Sequence, residues 1–368
     1  MRFALVTISF LSSLLLVLLT ADGLEWIGRG QALPTAPLSP PPHTLRSAGQ
    51  LRGLLMGTAI ASEPLKSDRV YAETLASEYN IVTPENALKF EPLRPSPDKF
   101  NFVDSEAIVD FAAKHGMAVH GHVLVWHNRV PQWLFNGNFS SIEVAAILKK
   151  HIHTLVGRYR RRVQSWDVVN EAVDDNTVQL RDSFWLKTLG PDYIGRAFTW
   201  AREADPTAKL FYNDYGGEAL GQKSDAIYHL LKTLKDQRVP VDGIGLQAHW
   251  VLEHAPPMRD IDANIKRLSA LGLELRISEL DVRMTMPPTE EKLQKQAAMY
   301  RDILHVCLSI FNCKSFATWG FTDKYSWIPA YFPGIGAALP FDESYKPKLA
   351  YAALLDELSK NRKPTSRH

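Results

Sequence analysis

Beyond about residue 51 the chain alternates short apolar runs with amphipathic stretches, and the alternation repeats eight times. The apolar runs cover 53–60, 80–86, 118–126, 163–171, 209–215, 243–250, 275–282 and 315–321, and each reads as a strand. Apolar residues recurring every third or fourth position predict helices over 67–79, 104–115, 141–159, 192–204, 222–237, 259–271, 289–311 and 347–359. Asp104 is the expected N-cap of the second helix, Gly116 and Gly272 are stops, and Asp205-Pro206 ends the fourth. Strands apolar at nearly every position are buried on both faces, as in a parallel sheet covered by its crossover helices. The fold class expected is therefore α/β: a parallel sheet closed on itself as a (β/α)8 (TIM) barrel, one domain over 51–359. An open doubly wound sheet is the competitor. It has less support, because polar residues follow many strands instead of one crevice and no GxGxxG follows the first strand.

Two of the strands end in glutamate. SWDVVNEAVDD (165–175) runs apolar through Trp166, Val168 and Val169, then stops at Asn170-Glu171, with Asp174 and Asp175 close behind. ELRISELDVR (274–283) leads through Leu275 and Ile277 to Glu279 and Asp281. A barrel of parallel strands presents its catalytic groups at the C-terminal strand ends. Taken singly, either is just a strand with a polar end; only a fold that brings the ends together makes Glu171 and Glu279 a pair. The remaining ends supply Glu85, Asn86 and Lys89, then His120, His122, Trp126 and His127, then Asn213 and Asp214. They go on with Gln247, His249 and Trp250, and finish with Trp319 and, in the loop beyond, Trp327. No serine nucleophile elbow, P-loop or catalytic-cysteine context is present.

Two carboxyls among amides, imidazoles and indoles are what glycosidic cleavage needs. One must keep its proton for the leaving oxygen, while the other must be ionised to attack the anomeric carbon. Indole faces stack on sugar rings, and amides, imidazoles and a lysine bond the hydroxyls. A zinc site built from His120, His122, His127 and His249 is a rival of another class, although no HExxH occurs. A non-catalytic sugar-binding barrel is the second rival, and it would more naturally have lost one of the two glutamates.

Composition narrows the picture further. The 368 residues are 45% hydrophobic and 22% charged with a net charge of +2, an ordinary globular balance without the basic runs that suit nucleic acid. Nine Trp suit a surface that takes flat ring faces, or simply a core. Residues 1–20 carry Arg2 and then a long apolar run, followed by the small residues of Ala21-Asp22-Gly23. This predicts a secretory signal over 1–23, with an uncleaved anchor as the alternative, and a secreted or periplasmic body. The segment 24–50 is Pro-rich and reads as an extended linker, and 360–368 as a polar tail. Asn138-Phe139-Ser140 is a sequon that matters only in a glycosylating host. Cys307 and Cys313 are the only cysteines; in an exported chain they suggest a disulfide, with two buried thiols as the alternative and a metal site less supported.

Seven segments, in order, carry a resemblance: TPENALKFEPL (83–93), GHVLVWH (121–127), SWDVVNEA (165–172), YNDY (212–215), GLQAHW (245–250), ISELDV (277–282) and ATWGFTDKYSW (317–327). On these the chain resembles the glycoside hydrolase family 10 endo-β-1,4-xylanases from about Gly53 to Ala352. The resemblance implies a retaining endoxylanase acting on xylan and xylo-oligosaccharides. It also implies a monomer with no cofactor, no metal and no obligate protein partner. Glu171 would be the general acid/base and Glu279 the nucleophile, their carboxyls about 5–5.5 Å apart as in retaining enzymes. Asn170 would hold the 2-hydroxyl next to the scissile bond, and His249, backed by Asp281, would orient the nucleophile. Glu85, Asn86, Lys89, His122, Trp126, Gln247, Trp319 and Trp327 would line the non-reducing-end subsites, with His127 in support. The spacing of Cys307 and Cys313 also matches a disulfide of many members. Gly216-Gly217 departs from the Asn usual after that tyrosine, which puts the leaving-group side in question.

Overall fold

A computed structural model describes residues 44–360. The predicted signal over 1–23, most of the linker and the tail beyond 360 lie outside the described residues. Eight strands form the barrel: β1 (Leu55–Ile60), β2 (Ile81–Pro84), β3 (Ala118–Trp126), β4 (Ser165–Asn170), β5 (Lys209–Asp214), β6 (Gly243–Leu246), β7 (Glu274–Thr285) and β8 (Cys313–Thr318). Each pairs in parallel with the next, and β8 pairs in parallel with β1 through Leu55↔Ser315 to Thr58↔Thr318, so the sheet closes. Closure removes every edge within the barrel. It also gathers the eight C-terminal strand ends at one rim.

The chain stays close-packed where the sequence supplies glycine opposite a large ring. Trp166 is fully buried on the face of β4 opposite Asp167, against Gly121 of β3. A Cβ at Gly121 would lie 2.1 Å from the Trp166 ring, so only glycine lets the two strands keep register there. The Ser141–Arg158 helix is opened by a reciprocal capping box of Ser140 and Glu143 and buries Val144, Leu148, Ile152 and Leu155 along one face. Truncating one such residue to alanine costs roughly 2–5 kcal/mol. At the far end Cys307 and Cys313 form a disulfide, closing a six-residue separation between the Glu290–Ser309 helix and β8.

Several expectations need correction. The linker does not extend to 50: Leu45–Arg52 is a helix, capped by Thr44 and by Gly53 in the left-handed region. Arg46 ties it down by donating to the carbonyls of Ala76, Tyr79, His115 and Gly116. The helix expected over 67–79 is two, Ser62–Ser67 and Arg69–Glu78, parted at Asp68, which caps the second. Asp104 is not an N-cap; the helix starts at Val103, and Asp104 sits in its first turn paired with Lys66 at 2.6 Å. A short helix, Phe184–Leu189, was not anticipated. The apolar run 243–250 is broken. β6 ends at Leu246, Ala248 takes φ +62, and His249–Val251 becomes a short separate strand against β7, with His249 opposite Asp281.

Candidate active site

A cleft of about 720 Å³ opens at the C-terminal rim. Twelve predicted residues line it: Glu85, Asn86, Lys89, His122, Trp126, Asn170, Glu171, Gln247, His249, Glu279, Trp319 and Trp327. His127 and Asp281 stand behind them, with His127 Nδ1 3.8 Å from Glu171 and Asp281 bonded to His249. A larger hollow of about 1030 Å³ lies outside the barrel between the helices Tyr193–Ala204 and Gln222–Asp236, but neither an indole nor a glutamate lines it. Size alone does not mark the site.

The two strand-end glutamates meet across a bridge of amides. Asn213 Nδ2 donates to Glu279 Oε1 at 2.6 Å and to Asn170 Oδ1 at 2.9 Å. Asn170 Nδ2 in turn donates to Glu171 Oε1 at 3.0 Å. Gln247 Nε2 reaches both Glu171 Oε1 and Asn170 Oδ1, at 3.0 and 3.1 Å. Trp126 Nε1 holds the other oxygen of Glu171 at 2.8 Å. The other oxygen of Glu279 faces His249 Nε2 at 3.1 Å, while His249 Nδ1 meets Asp281 Oδ2 at 2.7 Å and Trp327 Nε1 donates to that same oxygen at 3.0 Å. Both carboxylates are thus fixed at two atoms by groups from neighbouring strands, which is how a scaffold holds reacting groups in place.

Charge is ordered along the floor. Burial opposes a charge on His249, but the Asp281 and Glu279 carboxylates outweigh it and push its pKa up to about 10. The ring is therefore an imidazolium at neutral pH, donating from both nitrogens. Deeper down, burial would raise Asp167, yet His120 and His122 hold it well below the usual carboxylate range. Burial and Arg276 push His120 itself down to about 4. On the rim of β2, burial raises Glu85 and lowers Lys89, each opposed by the charge of the other. Lys89 Nζ lies 5.1 Å from the centroid of Trp126 and 5.8 Å from that of Trp319.

The four histidines proposed as zinc ligands are not brought together. His120 and His122 both turn to Asp167 at 2.9 Å, His249 to Asp281 and Glu279, and His127 towards Glu171. Among the described residues, the group with metal-compatible spacing is His122, Asp167 and Glu279, their donor atoms within 4.8 Å of one another. Its imidazole Nδ1 is already committed to Asp167 and its third member to Asn213 and His249. Sequence reasoning named Asn213 at its strand end without giving it a role, and it missed Asp167, Tyr215, Arg283 and Tyr331. The last three line the cleft, Tyr215 just past β5, Arg283 within β7 and Tyr331 at the end of the short helix Ile328–Tyr331, as do Asn128 and Arg129, which were missed too. A polar residue inside an apolar run, as Asp167 is, was the one signal available.

A closed parallel barrel with a carboxylate pair in an indole-walled cleft at its C-terminal rim defines a (β/α)8 glycoside hydrolase. Comparison with known proteins gives the class its family. The family model described as glycosyl hydrolase family 10 matches residues 44–357. Endo-1,4-beta-xylanase B of Thermotoga neapolitana is 43% identical over 296 residues, 79% of this chain and 85% of that protein. An endo-1,4-beta-xylanase of Agaricus bisporus is 37% identical over 302 residues, 82% and 90% of the two chains. The crystal structure of xylanase 10B from Thermotoga petrophila RKU-1 in complex with xylobiose superposes with a TM-score of 0.83 at 42% identity, covering 86% of this chain and 97% of that one. The chain belongs to glycosyl hydrolase family 10.

Proposed function

We propose that the protein is an exported endo-1,4-β-xylanase that hydrolyses internal bonds of xylan, a plant cell-wall hemicellulose, with retention. It acts as a monomer and without a cofactor or metal. Glu279 attacks the anomeric carbon while Glu171 protonates the departing oxygen; Glu171 then takes a proton from water, and that water releases the glycosyl-enzyme. The observation that carries this reading is the amide bridge, in which Asn170 and Asn213 link one glutamate to the other. The imidazolium of His249 orients Glu279 and is itself held by Asp281. Asn170, Gln247, His122, Glu85, Asn86 and Lys89 bond sugar hydroxyls, and Trp126, Trp319 and Trp327 supply ring faces. Gly216, at φ +65, leaves bare backbone beside Tyr215 on the leaving-group side.

The test compares two substitutions on aryl xylobiosides of graded leaving-group ability. Glu279→Gln abolishes turnover of all of them. Glu171→Gln suppresses kcat/KM on phenyl xylobioside far more than on 2,4-dinitrophenyl xylobioside, whose leaving group needs no proton. Equal losses on both substrates would contradict the role given to Glu171.

A further inference from the structure

We propose that Arg181 is a positioning residue for the proton donor, holding the main chain of Glu171 in a conformation it would not keep unaided; this rests on the reading of Glu171 given above. Glu171 is the first residue past β4 and takes φ +56, the left-handed region that side chains with a Cβ rarely adopt. Such a conformation persists where the surroundings over-determine it. The Glu171 N–H stays in the barrel ladder, donating to Asn213 O at 2.8 Å. Its carbonyl instead accepts Arg181 Nε at 3.1 Å. The same guanidinium donates through Nη2 to Val173 O at 2.9 Å, so one planar fork grips two carbonyls two residues apart.

The fork is braced from behind. Arg181 Nη2 also reaches Asp175 Oδ2 at 3.2 Å and the Tyr215 hydroxyl at 3.3 Å. Asp175 is itself anchored by Lys223 Nζ at 2.6 Å and by the Tyr215 hydroxyl at 2.5 Å. Lys223 is nearly buried, and it sits 3.0 Å from the wholly buried Asp214 and 3.7 Å above the Tyr215 ring. The loop between Glu171 and Arg181 is closed on itself by Arg181 N to Ala172 O at 2.7 Å and by a bridge between Val173 and Leu180. The arginine thus folds back into its own loop and acts on the peptide groups that set where the Glu171 carboxyl points. A lysine would keep a charge for Asp175 but lacks the fork.

The experiment measures Arg181→Lys and Arg181→Met on phenyl and 2,4-dinitrophenyl xylobioside, with thermal melts to establish folding. The expected result is a roughly 30-fold loss of kcat/KM on the phenyl substrate, part of the 10²–10⁴ a general acid supplies, and less than about threefold on the dinitrophenyl one. On the dinitrophenyl substrate kcat and KM fall together, because release of the glycosyl-enzyme still needs Glu171 as base. General loosening of the fold would instead lower activity on both substrates alike, and that outcome overturns the proposal, as does wild-type behaviour. If Arg181→Met does not fold, Arg181→Lys carries the test. Glu171→Gln run alongside separates the two claims. If it discriminates and the arginine variants do not, only the role of Arg181 falls; if it does not discriminate, the reading of Glu171 fails and takes this proposal with it.

Discussion

Gly245 on β6 owes its identity to Asn213 on β5. The two are register partners, and a Cβ at 245 would lie 2.1 Å from Asn213 Oδ1, closer than real atoms approach, and a tight 3.1 Å from its Cγ. Gly245→Ala must therefore turn Asn213 out of its place, and with it the bonds of 2.6 Å to Glu279 and 2.9 Å to Asn170. A hydrogen bond to a charged group contributes about 1.5–3 kcal/mol. If that is lost in the transition state, kcat/KM on an aryl xylobioside falls roughly 10- to 150-fold, at about 1.4 kcal/mol per decade. The clash itself adds about 1–3 kcal/mol of destabilisation, visible as a lower Tm. Asn213→Ala should lose activity over the same range without the clash. The informative variant is the double one. With Asn213 truncated, the two closest atoms are gone and the next nearest is Ser278 Oγ at 3.1 Å, so Asn213→Ala/Gly245→Ala should be little worse than Asn213→Ala alone and should recover part of the lost Tm. Steady-state kinetics and melts on the four proteins settle it. Wild-type kinetics for Gly245→Ala, or simple additivity in the double variant, would refute the reasoning.

Two further predictions concern stability. His151 is fully buried against Phe90 at a ring separation of 3.6 Å, neither ring nitrogen has a hydrogen-bond partner among the described residues, and burial together with Arg94 pushes its pKa down to about 3 from 6.5. Between those values the unfolded chain binds a proton that the folded one refuses, so stability is complete above pH 6.5 and declines as pH falls below it. The decline reaches about 2 kcal/mol at pH 5, and His151→Phe should remove that part of the pH dependence in denaturant titrations; an unchanged slope would show that the ring is solvated. Removing the disulfide with Cys307→Ala/Cys313→Ala releases only a short loop, so the chain-entropy effect is about 2 kcal/mol and the drop in Tm a few degrees. Loss of folding in that variant would mean the bond holds more than its loop.

What could be seen in advance follows the physics of each segment. β3 matches its expected run residue for residue because nine apolar-rich positions are bounded by Gly116 on one side and polar residues on the other. Glu171 and Glu279 stood out because each follows a strand with a repeated apolar pattern, Trp166, Val168 and Val169 in one and Leu275 and Ile277 in the other. The Leu45–Arg52 helix was hidden by its Pro-rich neighbourhood and by being only eight residues long, with a buried face of just Leu45, Ala48 and Gly49. The break at Ala248 carries no glycine or asparagine to announce a left-handed residue; tertiary bonds impose it, among them Glu218 Oε1 accepting the Ala248 N–H at 2.9 Å. Asp104 was misplaced as a cap because an acidic residue in a first turn looks alike at either position, and its partner Lys66 is distant in sequence. Arg181, Tyr215 and Lys223 belong to loops and a helix start, where no periodicity links them. Only the closed barrel brings them to the same wall.

The central claim is that Glu279 forms a covalent bond to the sugar with Glu171 as its partner. Incubation with 2,4-dinitrophenyl 2-deoxy-2-fluoro-β-xylobioside, followed by intact-mass and peptide analysis, tests it most directly, since the fluorine slows release of the intermediate. The account predicts one equivalent of fluoroxylobiosyl per chain, located on Glu279 within ISELDV, with activity lost in proportion to labelling. A label on another residue, or full turnover of xylan with no label at all, would contradict it.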